Sequence, residues 1–126
     1  AVYRFDGDLY FANTGYLEGK LLNYIAAKPK LKVLILDLEA TGQVDSTGEE
    51  MLEKLADRLR ATGIEFYIAR TKLRVYEAFQ RSGLARQIGE ERFFRERKYA
   101  VAYAKEHWGD AIDVTPLQRY TPIEMK

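Results

Sequence analysis

Lys32-Val33-Leu34-Ile35-Leu36-Asp37-Leu38 is an almost unbroken run of branched apolar residues. A strand with one wet face alternates apolar and polar positions. A run apolar throughout is the mark of a strand covered on both faces, as in a mostly parallel sheet with helices packed on it. This strand should therefore be central. Ile64-Glu65-Phe66-Tyr67-Ile68-Ala69 reads as a second strand, and the segment between them carries Met51, Leu52, Leu55, Ala56 and Leu59 on one helical face. Acids lie early and bases late in that helix, in keeping with its dipole, and Gly63 ends it. Strand, helix and strand make one right-handed βαβ unit, so the expected fold is a small α/β layer structure.

Outward from this unit, Tyr3 and Phe5 alternate with Arg4 and Asp6, Gly7-Asp8 gives a turn, and Leu9-Tyr10-Phe11-Ala12 resumes an aromatic-rich run. This reads as a hairpin, or as two strands meeting at a tight bend. Leu17, Leu21, Leu22 and Ile25 predict a helix over 15–27 that stops before Pro29. A further helix is expected over 71–82 with Gly83 as its stop, then short edge strands around Ile88 and around Phe93-Phe94, then a last helix over 97–108. Residues 109–126 are polar, carry Pro116 and Pro122, and read as a poorly ordered end or a linker.

The 126 residues, 47% of them hydrophobic, suffice for one domain with a real core. With 20 basic against 19 acidic residues, neither disorder nor a general polyanion-binding surface is implied. The absence of cysteine excludes disulfides, thiolate metal sites and a cysteine nucleophile, and His107 alone excludes paired-histidine sites. The longest apolar runs, Val33 to Leu36 and Ala100 to Ala104, fall far below the roughly 20 residues of a membrane span. The chain has no initiator methionine and opens inside a strand pattern, as an excised piece of a longer protein would.

The loop after a central parallel strand is where open α/β sheets usually bind ligands, because free N–H groups and the positive end of a helix dipole converge there. Here it runs from Glu39 to Gly48. Ser46-Thr47-Gly48-Glu49 satisfies the capping-box spacing, with Ser46 accepting from the N–H of Glu49, while Asp45 and Thr47 compete for the same role. Besides capping, a Ser46 or Thr47 hydroxyl is a candidate phosphoacceptor, since an added phosphate is favoured at a helix N-terminus. Hydrolytic readings fail: Asp37-Leu38-Glu39 only approximates the aspartyl nucleophile pattern of haloacid-dehalogenase-like phosphatases, and Ser46 lacks the elbow motif that would pair it with His107. Between residues 70 and 98 nine bases face four acids. Arg70, Lys72 and Arg74, with Thr41 and Gly42, are candidate contacts to an anion, a nucleotide, an anionic lipid or an acidic partner; otherwise the stretch is a solvated face. Tyr76, Phe79, Phe93 and Phe94 read as core, so nucleic acid is not an expected partner.

Several stretches together resemble one family. Tyr3-Arg4-Phe5-Asp6-Gly7-Asp8-Leu9-Tyr10-Phe11-Ala12-Asn13, Val33 to Leu38, Val44-Asp45-Ser46-Thr47-Gly48, Ala69-Arg70 and Arg81-Ser82-Gly83-Leu84 resemble the STAS domain of SulP-type anion transporters, the sulfate permease family, over about residues 2 to 108. The resemblance implies a domain over 1–108 with a mixed sheet of four to six strands and about four helices, mainly on one side. It implies a non-enzymatic regulatory part at the cytoplasmic face of a plasma or inner membrane. Its partners would be the transmembrane domain of the same polypeptide, a regulatory protein or kinase, and a second copy in a dimeric transporter. In the related free-standing anti-sigma-factor antagonists, which are the alternative reading, the D-S-x-G loop carries its phosphorylated residue at the position of Thr47, threonine here in place of serine. Family members are associated with nucleotide near this loop; no P-loop is present, and no other cofactor is implied.

Overall fold

In the computed structural model, residues 2–5, 7–9 and 11–113 are described, the side chains of 11–14 excepted. The chain runs β1 (Val2–Arg4), α1 (Phe11–Ala27), β2 (Val33–Asp37), α2 (Ser46–Ala61), β3 (Glu65–Ala69), α3 (Leu73–Ser82), α4 (Leu84–Ile88), a 3-10 turn (Glu90–Arg92), β4 (Phe93–Phe94) and α5 (Arg97–Trp108). The α/β class expected from the sequence is observed. The sheet order is β1-β2-β3-β4, and each of these pairings among the described residues is parallel.

All five residues of β2 are buried because both faces are covered. Leu34, Leu36, Phe66 and Ile68 point into one core with Leu17 and Leu21 of α1, Leu52, Leu55 and Leu59 of α2, Val75 and Phe79 of α3, and Leu84 and Ile88 of α4. Val33, Ile35, Tyr67 and Ala69 point the other way, onto Ala100 and Ala104 of α5. Four helices thus lie on one face and α5 on the other. Small alanines let α5 approach closely, and Tyr67, Phe94 and Tyr103 pack ring to ring with centroids 5.5 Å apart. The aromatics read as core are packed as such: Phe79 is fully buried, and Tyr76 meets Phe93 edge-on at 5.0 Å.

Three expectations are corrected. The hairpin does not form among the described residues. After β1 the chain turns at Gly7, and Leu9 makes a single parallel bridge, to Val44 in the loop beyond β2. Its N–H and C=O are taken by Gln43 and Asp45, so the segment has already left the sheet and α1 starts at Phe11, not 15. Around Ile88 there is a helical turn, α4, in place of an edge strand. Gly83, at φ 89°, stops α3 and redirects the chain, and Leu84, Ala85 and Ile88 are buried at helical spacing. The capping of α2 also differs, as described below. In the polar tail, Ile112 packs partly against the α5 side of the sheet, and residues 114–126 lie outside those described. Among the described residues no helix is long and apolar enough to cross a membrane.

Candidate functional site

The register brings Arg4, Asp37, Ala69 and Phe94 into one row at the C-terminal ends of the strands. The β2–α2 loop leaves from this row and is laced to the segment between β1 and α1. The buried Thr41 donates its hydroxyl to the carbonyl of Gly7 at 2.8 Å. One oxygen of Asp8 accepts the N–H groups of Gly42 and Gln43 at 2.8 and 3.0 Å. Leu9 accepts from Asp45 N–H and donates to the Gln43 carbonyl, each at 3.0 Å. Thr41 and Gly42 therefore spend these groups on the β1–α1 segment. Asp8, which fixes the loop's shape, reads in sequence only as a turn residue, and nothing local signals a partner more than thirty residues away.

Asp45 is the N-cap of α2. It sits in extended backbone, and its carboxylate accepts from Gly48 N–H at 2.8 Å. The capping box headed by Ser46 is not formed, because the N–H of Glu49 already donates to the Asp45 carbonyl at 3.0 Å. Ser46 and Thr47 are consequently the first two residues of the helix, the former exposed and the latter half-buried. Gly48 is buried against Leu9 and Val44. Beside the loop, Gln43 and Val44 with Arg74, Val75, Ala78 and Arg81 of α3 line a groove of about 390 Å³.

The bases after β3 divide between two fates. Arg70 grips the fully buried Asp37 through Nε and Nη2, at 3.2 and 2.6 Å, and reaches Glu39 at 3.0 Å. Hydrogen bonding to Asp37 is the main reason its guanidinium pKa lies above the ordinary value. Arg4 meets Glu39 at 3.1 Å, Arg97 lies 3.8 Å from Asp37, and Lys72 donates to the Glu39 carbonyl. Arg70 and Lys72 are thus tied into a structural charge cluster, whereas Arg74 and Arg81 have no ion pair among the described residues. Asp37 also accepts from Glu39 N–H at 3.0 Å, ordering the start of the loop as its place at the strand end suggests. Clamped and sealed from water, it is not placed as a nucleophile. His107 faces Glu65 at the start of β3, at the other end of the sheet from Ser46, so those two form no catalytic pair. Among the described residues no cluster of three metal-ligating side chains occurs.

A parallel sheet whose central strand delivers a D-S-x-G turn onto a helix N-terminus agrees with the sequence comparison, in which residues 1–100 match the STAS domain family. The chain belongs to the STAS domain family. It is 29% identical over 110 residues to sulfate transporter 3.2 of Arabidopsis thaliana, covering 80% of this chain and 17% of that protein. A crystal structure of a sulfate transporter family protein from Wolinella succinogenes superposes with a TM-score of 0.76 at 30% identity, over 83% of this chain and 84% of that one. The SulP transporter STAS domain from Vibrio cholerae shares the fold, with a TM-score of 0.67 at 23% identity over 84% and 80% of the two chains. The chain spans less than a fifth of the length of the curated sulfate transporters it matches.

In this STAS domain the cap assignment makes a direct prediction. Asp45→Ala should lower stability by about 1–2 kcal/mol, because it leaves the Gly48 N–H without its acceptor, whereas Ser46→Ala should change it by under about 0.5 kcal/mol. Urea midpoints of the two variants check this, and the opposite ranking would restore Ser46 as the cap.

Proposed function

We propose that this STAS domain is the cytoplasmic, non-enzymatic regulatory part of a SulP-type anion transporter. In this reading it is joined to the transmembrane domain of the same polypeptide, packs as a dimer in the parent protein, and acts through the Asp45–Gly48 turn. The observation that carries the reading is the construction of that turn: it is laced to the β1–α1 segment at five hydrogen bonds, yet presents Ser46 outward at a helix N-terminus. A rigid turn with an accessible hydroxyl suits a contact that is made or broken by charge. Phosphate on Ser46 or Thr47 adds about −1.5 to −2 charge where the helix dipole welcomes it, so the docking surface changes without the domain unfolding. The groove lined by Arg74 and Arg81 beside the turn supplies cations for an acidic partner segment. Nucleotide is not part of this reading, because Thr41 and Gly42 are engaged with the β1–α1 segment.

The test is made in the parent transporter. Deleting residues 1–108 should reduce uptake of sulfate or a comparable small anion to background, and Thr47→Glu should alter uptake at unchanged membrane abundance. Unchanged uptake and abundance on deletion would sink the proposal. Labelling of Thr47 by an anti-sigma kinase, lost in Thr47→Ala, would instead favour the free-standing antagonist reading.

A further inference from the structure

A cleft of about 490 Å³ opens at the start of β3, at the opposite end of the parallel sheet from the Asp45–Gly48 turn. Its volume lies in the roughly 300–1,000 Å³ range of small-molecule sites. Three guanidiniums reach it: Arg60 from the end of α2, Arg86 from α4, and Arg92 from the 3-10 turn. Two carboxylates, Glu65 and Glu91, also line it, and Trp108 at the end of α5 forms part of the rim.

The walls are pre-set to different degrees. Arg92 is held by Glu65 at 3.2 Å with its guanidinium over the Tyr67 ring, 5.6 Å from the centroid. Arg60 donates to the Gln87 carbonyl at 2.8 Å and lies 3.7 Å from Asp57. Glu65 is fully occupied: it accepts from Tyr67, Arg92 and the Trp108 indole, and although burial pushes its pKa up, these hydrogen bonds carry it below the ordinary value. Glu91 is mostly in water, 4.0 Å from Arg92. That leaves Arg86, which has no ion pair among the described residues, as the cleft's uncommitted charge. Of the described lining residues three are cations and two anions, and with Asp57 beside Arg60 it is Arg86 that stays unpaired, which matches a monoanion better than a dianion. A half-exposed indole on the rim and apolar Phe66 and Ile88 beneath offer a flat, partly dry surface beside that charge.

We propose that this cleft binds a small organic monoanion, a carboxylate carried on a flat apolar body. The carboxylate lies against Arg86 and the neighbouring Arg60, where the planar guanidinium fork matches its two oxygens. The apolar body lies along Trp108.

Trp108 is the chain's single tryptophan, so its indole N–H resonance and its fluorescence report on this cleft alone. Benzoate titrated into the 126-residue chain should shift that resonance saturably. The neutral isostere benzamide should bind about tenfold more weakly, the worth of one charge-assisted contact. Arg86→Ala should weaken benzoate by a similar factor, and Arg74→Ala, at the far end of the sheet, should leave it unchanged. Spectral dispersion in each variant confirms an intact fold, since Arg86 is exposed. The proposal is overturned by any of three results: no saturable shift at about 50 mM benzoate, far weaker than a specific site requires; equal affinity for benzamide; or displacement of benzoate by equimolar inorganic phosphate.

Discussion

Replacing Arg70 by alanine should lower the unfolding free energy by about 3–5 kcal/mol, the range seen when one partner of a buried ion pair is removed. The asymmetry of the pair decides which partner matters more. Asp37 is fully buried, whereas the Arg70 side chain keeps 21% of its surface in solvent. Without Arg70 the carboxylate retains, among the described residues, the Glu39 N–H and an arginine 3.8 Å away, and it cannot turn to water. Without Asp37 the guanidinium still has Glu39 at 3.0 Å and a path to solvent. Asp37→Ala should therefore be milder, about 2 kcal/mol, and the double variant should lie near the milder single one rather than near the sum. Arg70 also stands at φ 59°, a left-handed conformation that glycine adopts freely. Arg70→Gly should accordingly be about 1 kcal/mol less damaging than Arg70→Ala. Urea unfolding with unchanged m-values gives all four numbers. If Asp37→Ala proves the worse single variant, the cluster is governed by the arginine's other contacts and not by the buried carboxylate.

This pair shows where reading the sequence stops. β2 was legible because burial on both faces leaves its mark on every residue from Val33 to Leu36, and α5 was legible in full because Ala100, Val101, Ala104 and Trp108 keep helical spacing without interruption. The loop was legible as a candidate site from topology alone, since a central parallel strand feeding a helix has few places to put a ligand. What could not be read was long-range pairing. That Arg70 serves Asp37, and that Asp8 serves Gly42 and Gln43, depends on strand register and on where the β1–α1 segment lies. Short aromatic runs misled for the same reason: Leu9 to Ala12 satisfies a strand pattern, but its backbone partners lie in a loop, not in the sheet. At the cap, Asp45 and Ser46 both satisfy the local rules, and only the engagement of the Glu49 N–H by the Asp45 carbonyl chooses between them.

The same crowding makes Gly48→Ala the most informative change in the turn. By helix propensity alone, alanine at this position in α2 should stabilise by about 1 kcal/mol. A Cβ here, however, would lie 2.2 Å from the Leu9 carbonyl oxygen, 2.8 Å from a Val44 methyl and 2.9 Å from the Leu9 Cβ. The first of these is backbone, and it cannot retreat without breaking the Asp45 N–H to Leu9 hydrogen bond that seats the cap. The expected result is a loss of about 3 kcal/mol, at the upper end for overpacking, since relief of the clash also releases the loop. Gly19→Ala in α1, where nothing lies within 4 Å of the added methyl, should show the propensity effect unopposed, a gain of about 0.5–1 kcal/mol. Opposite signs for two identical substitutions in helices of one domain isolate the contact with Leu9 as the cause. A Gly48→Ala variant as stable as the parent would mean that the β1–α1 segment yields readily, and the rigid turn on which the switch reading depends would be lost with it.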